Sequence, residues 1–232
     1  MVTVVRRDVA ATASNAVTSA ATAPTTDTMR VALDCLLLDF DGVLVNYARH
    51  LRVRHLADTC GRTPAEVQAA LFDSGLERRH DEGMDSSAYL QELSAALGTE
   101  ISVAQWQAAR IAASPPQHGV IERMQRIACT LPIAILTNNG ALMAMTIPLI
   151  LPGLAAALDG RILCSGELGG RKPDPTVFLQ AVERLNARPT HTLFVDDLFV
   201  NVRGARQAGL HADTAHDSRS FGKLMHRFGL DA

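Results

Sequence analysis

The sequence lacks most of the signatures that would tie it to a membrane, a nucleic acid or an oxidising compartment. It has no CxxC pair. Its four cysteines, Cys35, Cys60, Cys129 and Cys164, are widely spaced, which argues against a zinc site or a disulfide framework and for reduced, partly buried thiols of a cytoplasmic protein. No apolar run reaches the roughly 18 residues of a membrane span; the longest, Ala141–Leu158, is interrupted by Pro148, Pro152 and Gly153. Neither sign of charge dominates. With 22 basic and 24 acidic side chains the net charge is −2, which disfavours a basic nucleic-acid surface or a polybasic membrane anchor.

What is present describes a globular chain. In 232 residues, 47% are hydrophobic and 20% charged, enough to bury a core in one domain, or in one domain carrying an insertion. Residues 1–29 stand apart. They are mostly Ala, Thr, Val and Ser, without Leu, Ile or Phe, and cannot bury enough apolar surface to offset ordering entropy. A disordered extension is expected there, without the apolar core of a secretory signal or the arginine content of a transit peptide.

From Val31 the pattern changes. Ala32–Phe40, Ile133–Leu136, Arg161–Cys164 and Thr192–Val195 are short apolar runs that suit buried parallel strands, and His211–Ala215 is a candidate fifth. Helical patterns over His118–Cys129, Pro175–Asn186 and Val200–Ala208 separate them. Asp174–Pro175 opens the second of these helices as N-cap and N1 proline, and Gly209 closes the third. Alternation of this kind predicts an α/β fold with a parallel sheet and right-handed crossovers. More than 90 residues separate Phe40 from Ile133, too many for one crossover. Capping boxes at Thr63–Glu66 and Ser102–Gln105, with helical spacing over Ser86–Leu97, make that gap helical. The expected organisation is a core of residues 30–46 and 115–232, with residues 47–114 as a small all-helical cap over one end of the sheet.

Carboxylates gather where the strands should end. Asp39 and Asp41 follow the first strand in DFDGVLV, and Asp196 and Asp197 follow the fourth in LFVDD. Ligands of open α/β sheets bind beyond the carboxyl ends of strands. Four acids converging there require a cation or a retained proton, and oxygen-only ligands favour Mg²⁺. After the second strand, Thr137-Asn138-Asn139-Gly140 offers a hydroxyl, amides and backbone N–H groups to an anionic oxygen. After the third, Lys172 precedes Pro173-Asp174-Pro175, a stiff start to a helix. A nucleophile, a second carboxylate, a hydroxyl, a lysine and a metal site together suit phosphoryl transfer through an aspartyl-phosphate.

These four motifs, Asp39-Phe-Asp-Gly-Val-Leu44, Leu136-Thr137-Asn138, Lys172-Pro-Asp-Pro and Val195-Asp196-Asp197, stand in the order of the haloacid dehalogenase superfamily, which the chain resembles over about residues 30–232. The connecting segments Cys164–Gly169 and Asn201–Gly209 match as well. Within that superfamily it is most similar to phosphatases related to α-glucose-1-phosphate phosphatase and to the N-terminal phosphatase domain of epoxide hydrolases. The resemblance implies a Rossmann-like core and roles for single residues. Asp39 attacks phosphorus; Asp41 protonates the leaving alcohol and then activates water. Mg²⁺ is held by Asp39, the Asp41 backbone carbonyl and the paired acids, with Asp197 as direct ligand and Asp196 behind it near Lys172. Thr137 and the Asn138 backbone hold the phosphoryl oxygens, and Lys172 neutralises charge between phosphate and nucleophile. Asn139 either touches substrate or stabilises the turn.

Asp41 favours esters over carbon–halogen bonds, since a departing alkoxide needs an acid and a departing halide does not. The reading is therefore a Mg²⁺-dependent phosphatase of small phosphomonoesters, sugar phosphates among them, acting as monomer or homodimer, with no nucleic-acid or membrane partner. A phosphomutase of the β-phosphoglucomutase type is the alternative; a 2-haloacid dehalogenase or a non-catalytic binding protein fits less well. The basic cluster Arg49, His50, Arg52, Arg54 and His55, and the run Arg78, Arg79, His80 and Glu82, are expected to be solvated helix faces. Trp106 and Cys35 are expected in the core.

Overall fold

A computed structural model describes residues 32–230; the extension expected over residues 1–29 lies outside them. Among the described residues, five strands form one parallel sheet in the order β3-β2-β1-β4-β5. They are β1 (Cys35–Leu38), β2 (Ile133–Thr137), β3 (Ile162–Cys164), β4 (Thr192–Asp196) and β5 (His211–Thr214). The first strand lies at the centre, with Leu36 opposite Ile133 on one side and Leu193 on the other. The chain builds outward to β3 and then crosses back to place β4 beside β1. That reversal of direction opens a crevice between β1 and β4 at their carboxyl ends.

The two faces of the sheet sort the side chains of each strand. Leu36 and Leu38, Ile133 and Ile135, Leu193 and Val195 join one apolar cluster; Cys35, Leu37, Ala134, Leu136 and Phe194 join another. Burial on both faces explains why the strands are apolar runs rather than alternating ones. The second cluster is closed by α8 (Pro175–Arg184) and α9 (Phe199–Gln207). The first is closed by α6 (His118–Ile127), α7 (Leu142–Ile150) and α10 (Ser218–Arg227).

Between β1 and α6 the chain is helical: α1 (Arg49–Cys60), α2 (Pro64–Gln68), α3 (Leu76–Asp81), α4 (Ser86–Leu97) and α5 (Val103–Ala112). One π-helical turn, Ala69–Asp73, follows α2. The expected capping boxes form, with Thr63 and Ser102 accepting from the backbone N–H groups of Glu66 and Gln105. α5 packs against both α1 and α7, so these helices share the apolar cluster on the first face of the sheet. None of the described helices is long and apolar enough to cross a membrane.

Two helices fall where no helical reading was made. α7 forms inside the apolar stretch Ala141–Leu158 and carries Pro148 within it; only the last turn loses a donor there, so the ring costs less than it would mid-helix. α10 starts at a capping box that uses Ser220 instead of the usual Glu or Gln. Cys35 and Cys164 are buried, whereas Cys129 is exposed. Trp106 is buried as expected.

The solvated-face expectation fails at two residues. Arg52 and His80 are each 1% exposed. Arg52 forms a bidentate pair with Glu77, and the Tyr89 hydroxyl donates to Glu77 Oε2 at 2.7 Å. Trp106 Nε1 in turn donates to the Tyr89 oxygen at 2.9 Å, and His80 stacks on the Tyr89 ring at 4.1 Å between centroids. A charge run is solvated only if no buried partner neutralises it; Glu77 supplies that partner across the helix interface.

Candidate active site

The site assembles at the β1/β4 crevice. Asp39 follows β1, Thr137 ends β2, Lys172 lies on the segment after β3, and Asp196 ends β4. Four of the five strands thus deliver one group each to the same end of the sheet. Gly42 allows a close approach: its φ is +86°, and a Cβ there would lie 2.4 Å from an Asp197 carboxylate oxygen. Glycine is needed on both counts, backbone and space.

Lys172 is 2% exposed and its Nζ lies 2.9 Å from Asp39 Oδ1 and 2.7 Å from Asp196 Oδ2. Burial acts to lower the ammonium's pKa, and the two carboxylates reverse that, holding it above the ordinary lysine value. Asp39 is buried too. Desolvation pushes its carboxyl upward against the pull of Lys172, with Asp196 and Asp41 adding repulsion. Asp39 Oδ1 also accepts from the Phe40 N–H at 2.7 Å. Both donors fall on the same oxygen, so Oδ2 has none among the described residues.

Asp196 is saturated. Its oxygens accept from Lys172 Nζ, from the Leu198 N–H at 2.8 Å and from Asn201 Nδ2 at 3.0 Å to each oxygen. Asp197 is half-buried, and desolvation with the neighbouring Asp196 charge raises its pKa. Asp39, Asp196 and Asp197 each present an oxygen, all within 4.8 Å of one another. Three hard oxygen donors at that spacing, two of them, Asp39 and Asp197, raised in pKa by desolvation and by the Asp196 charge, fit a divalent cation of the Mg²⁺ or Ca²⁺ type.

Asp41 is turned away from that trio. Arg110 Nη2 lies 3.1 Å from both its oxygens, and Asn139 Nδ2 donates to Oδ2 at 2.8 Å. The same Asn139 amide reaches Thr137 Oγ1 at 2.6 Å. Asn139 therefore links the hydroxyl and the carboxylate, a bridging position between the two roles left open by the sequence. The Asn138 side chain faces elsewhere: Oδ1 accepts from the Lys172 N–H and from Ser165 Oγ, both at 2.9 Å, and Nδ2 donates to the Lys172 carbonyl at 3.0 Å. It fastens the loop after β2 to the lysine segment.

All the sequence-derived site residues converge, and four residues not singled out join them. Arg110 is buried beside Asp41; its spacing four residues after the buried Trp106 on α5 places both on one face, the signal that was available. Asn201 lies in the first turn of α9. Ser165 locks Asn138. Asp81, from α3, accepts from the Gly140 N–H at 2.9 Å, and burial with the nearby Glu77 pushes its carboxyl up to about 7.

A family model described as a haloacid dehalogenase-like hydrolase matches residues 33–209. Among curated relatives, a phosphatase of Mycobacterium tuberculosis is 37% identical over 82 residues, 35% of this chain and 37% of that protein; the match thus spans little more than a third of that relative's length. Among solved structures, a protein of Porphyromonas gingivalis described as a predicted HAD-like family hydrolase superposes with a TM-score of 0.68. It is 21% identical and the match covers 87% of this chain and 100% of that one. A HAD family enzyme from Bacteroides thetaiotaomicron, in complex with magnesium and inorganic phosphate, gives 0.62 at 18% identity over 78% of this chain and 93% of that one. With the motifs assembled at one sheet end and the family model spanning most of the sheet, the chain belongs to the haloacid dehalogenase-like hydrolases.

Proposed function

We propose that the protein hydrolyses small phosphomonoesters, sugar phosphates among them, through a phosphoryl group carried on Asp39, with Mg²⁺ as cofactor. The observation that carries this reading is the pairing of two aspartates with opposite surroundings. Asp39 is buried against Lys172 and the acid pair; Asp41, two residues on, faces the cavity side with 27% of its side chain exposed. One suits a nucleophile and the other a proton carrier.

In the first half-reaction an Asp39 carboxylate oxygen forms a bond to phosphorus as the ester P–O bond breaks, and Asp41 gives its proton to the departing alkoxide. In the second, Asp41 takes a proton from water, whose oxygen attacks the phosphorus of the acyl phosphate and restores Asp39. Lys172 offsets charge between nucleophile and phosphoryl oxygens, and Thr137 with the backbone of Asn138 holds those oxygens. Asp39 and Asp197 would hold the metal, with Asp196 already committed to Lys172 and Asn201. A bound divalent cation supplies neutralisation of the carboxylates and the phosphoryl group. The magnesium and phosphate in the B. thetaiotaomicron relative support this choice. Helices α1–α5, as a cap, would exclude water from the site.

A phosphate-release assay with and without Mg²⁺ tests the reading, using a chromogenic phosphate ester and small sugar phosphates beside the Asp39→Asn variant. Metal-dependent release that disappears in Asp39→Asn is expected. A folded, Mg²⁺-loaded protein that releases nothing from any ester overturns it.

A further inference from the structure

Beside the phosphoryl site lies a second cavity, of about 350 Å³, lined by Tyr47, Arg49, Asp81, Asn139 and Arg171 among others. These five also line the cavity that contains Asp39 and Lys172, so the two spaces are continuous. Arg110 and Asn139, the two partners of Asp41, both face this second space. If Asp41 protonates the leaving oxygen, the leaving alcohol extends into it.

The charge of that space is unbalanced. Five guanidinium groups line it: Arg49, Arg52, Arg78, Arg110 and Arg171. Glu77 neutralises Arg52 and Asp41 neutralises Arg110. Arg78 and Arg171 share one acid, Glu82, at 2.8 and 3.7 Å. No carboxylate of the described residues forms an ion pair with Arg49, whose guanidinium instead lies over the Phe72 ring at 4.3 Å, a contact that holds it in place. The remaining acid, Asp81, has its carboxyl pushed up to about 7 by burial and so carries only part of a charge near neutral pH. A cleft lined by surplus charge of one sign concentrates ligands of the other.

We infer that the preferred substrates are phosphate esters whose leaving alcohol carries a second anionic group, a carboxylate or a second phosphate, received by Arg49 and Arg171. The inference rests on the phosphatase reading and narrows it.

Matched esters provide the test. 3-Phosphoglycerate against glycerol 3-phosphate changes one hydroxymethyl to a carboxylate, and fructose 1,6-bisphosphate against fructose 1-phosphate adds a second phosphate. A charge-assisted hydrogen bond corresponds to about 10- to 100-fold in kcat/KM, and the anionic member of at least one pair is expected to lead by that factor. The pair that responds identifies which anion is read. In the Arg49→Gln/Arg171→Gln double variant the ratio is expected to fall toward one. Equal rates within both pairs overturn the inference and leave the phosphatase reading standing. So does a ratio unchanged in the double variant, because both members losing equally would place these arginines on the transferred phosphoryl group. Failure to release phosphate from all four esters, and from the chromogenic ester, overturns both.

Discussion

The Arg110 guanidinium lies 3.1 Å from both carboxylate oxygens of Asp41, across 69 positions of sequence. Arg110 is 1% exposed, stacked over the Tyr47 ring at 4.2 Å and with Nε 3.2 Å from Met143 Sδ. A group so enclosed has one available orientation, and it transmits that orientation to Asp41. On the proposed mechanism Arg110 is a positioning residue, acting on the alcohol through Asp41, although it also lines the neighbouring cavity.

Its loss should therefore depend on the leaving group. Arg110→Gln is expected to reduce hydrolysis of alkyl phosphates by about 10²-fold, the lower range of general acid catalysis. p-Nitrophenyl phosphate, whose phenolate departs with little proton assistance, should lose less than about 10-fold. Arg110→Lys should recover part of the alkyl activity. Equal losses on both substrates would show that Arg110 supports the fold and not the proton carrier.

The buried Arg52–Glu77 pair makes a stability prediction. Glu77→Gln leaves the Arg52 charge enclosed by Tyr89, Trp106 and Phe72 without a carboxylate, which should cost about 3–5 kcal/mol. Urea unfolding measures it. A loss below about 1 kcal/mol would mean that Arg52 escapes to solvent once unpaired.

Gly204 makes another. A Cβ there would lie 2.0 Å from the Pro173 carbonyl oxygen and 2.9 Å from its carbon, and neither is a flexible side-chain end. In an isolated helix Gly→Ala is stabilising by up to about 1 kcal/mol. Here Gly204→Ala should destabilise by about 2–3 kcal/mol and lower the turnover rate, since α9 must retreat from the segment that carries Lys172. An unchanged midpoint with unchanged turnover would refute the close packing.

Asp81 links stability to pH. Its carboxyl sits at about 7 in the folded chain against an ordinary value of 3.8; burial is the main cause, Glu77 adds to it, and Arg52, the Gly140 N–H and Arg171 oppose it. The folded state therefore binds the proton more tightly than the unfolded one. The resulting stabilisation is complete below pH 3.8 and is lost as pH rises through about 7. Asp81→Asn keeps an acceptor for the Gly140 N–H and removes the titration. Its unfolding free energy should change less than wild type between pH 4 and 7, and at pH 8 it should be the more stable by about 1–3 kcal/mol. Parallel profiles would place Asp81 in contact with water.

The sheet and its catalytic end were legible in sequence because both depend on local patterns. A strand buried on both faces must be a run such as Cys35–Leu38 or Thr192–Val195, and an acid at its carboxyl end must fall at the mouth of the crevice. Strand limits moved by one to three residues, as at β1, because register with β2 and β4 decides where pairing stops. Helices with a cap and regular spacing, Ser86–Leu97 above all, kept their limits. α7 was hidden by Pro148 within it and α10 by a capping box with serine in the third position.

Partnerships across the helical segment were not legible. Arg52 meets Glu77, Arg110 meets Asp41, and Asp81 meets the Gly140 N–H only because α1, α3 and α5 pack as they do. A charged side chain has the same letter whether solvated or enclosed; its protonation, orientation and partner are set by what burial removes and what neutralises it. The order of residues by itself determined where Asp39, Lys172 and the acid pair Asp196 and Asp197 fall, because each is tied to the end of a strand. The tertiary structure alone decided which arginine pairs with Asp41 and which has an aromatic ring and, among the described residues, no ion-paired carboxylate beside it, because those choices are made by groups far apart in the chain and close together in a desolvated space.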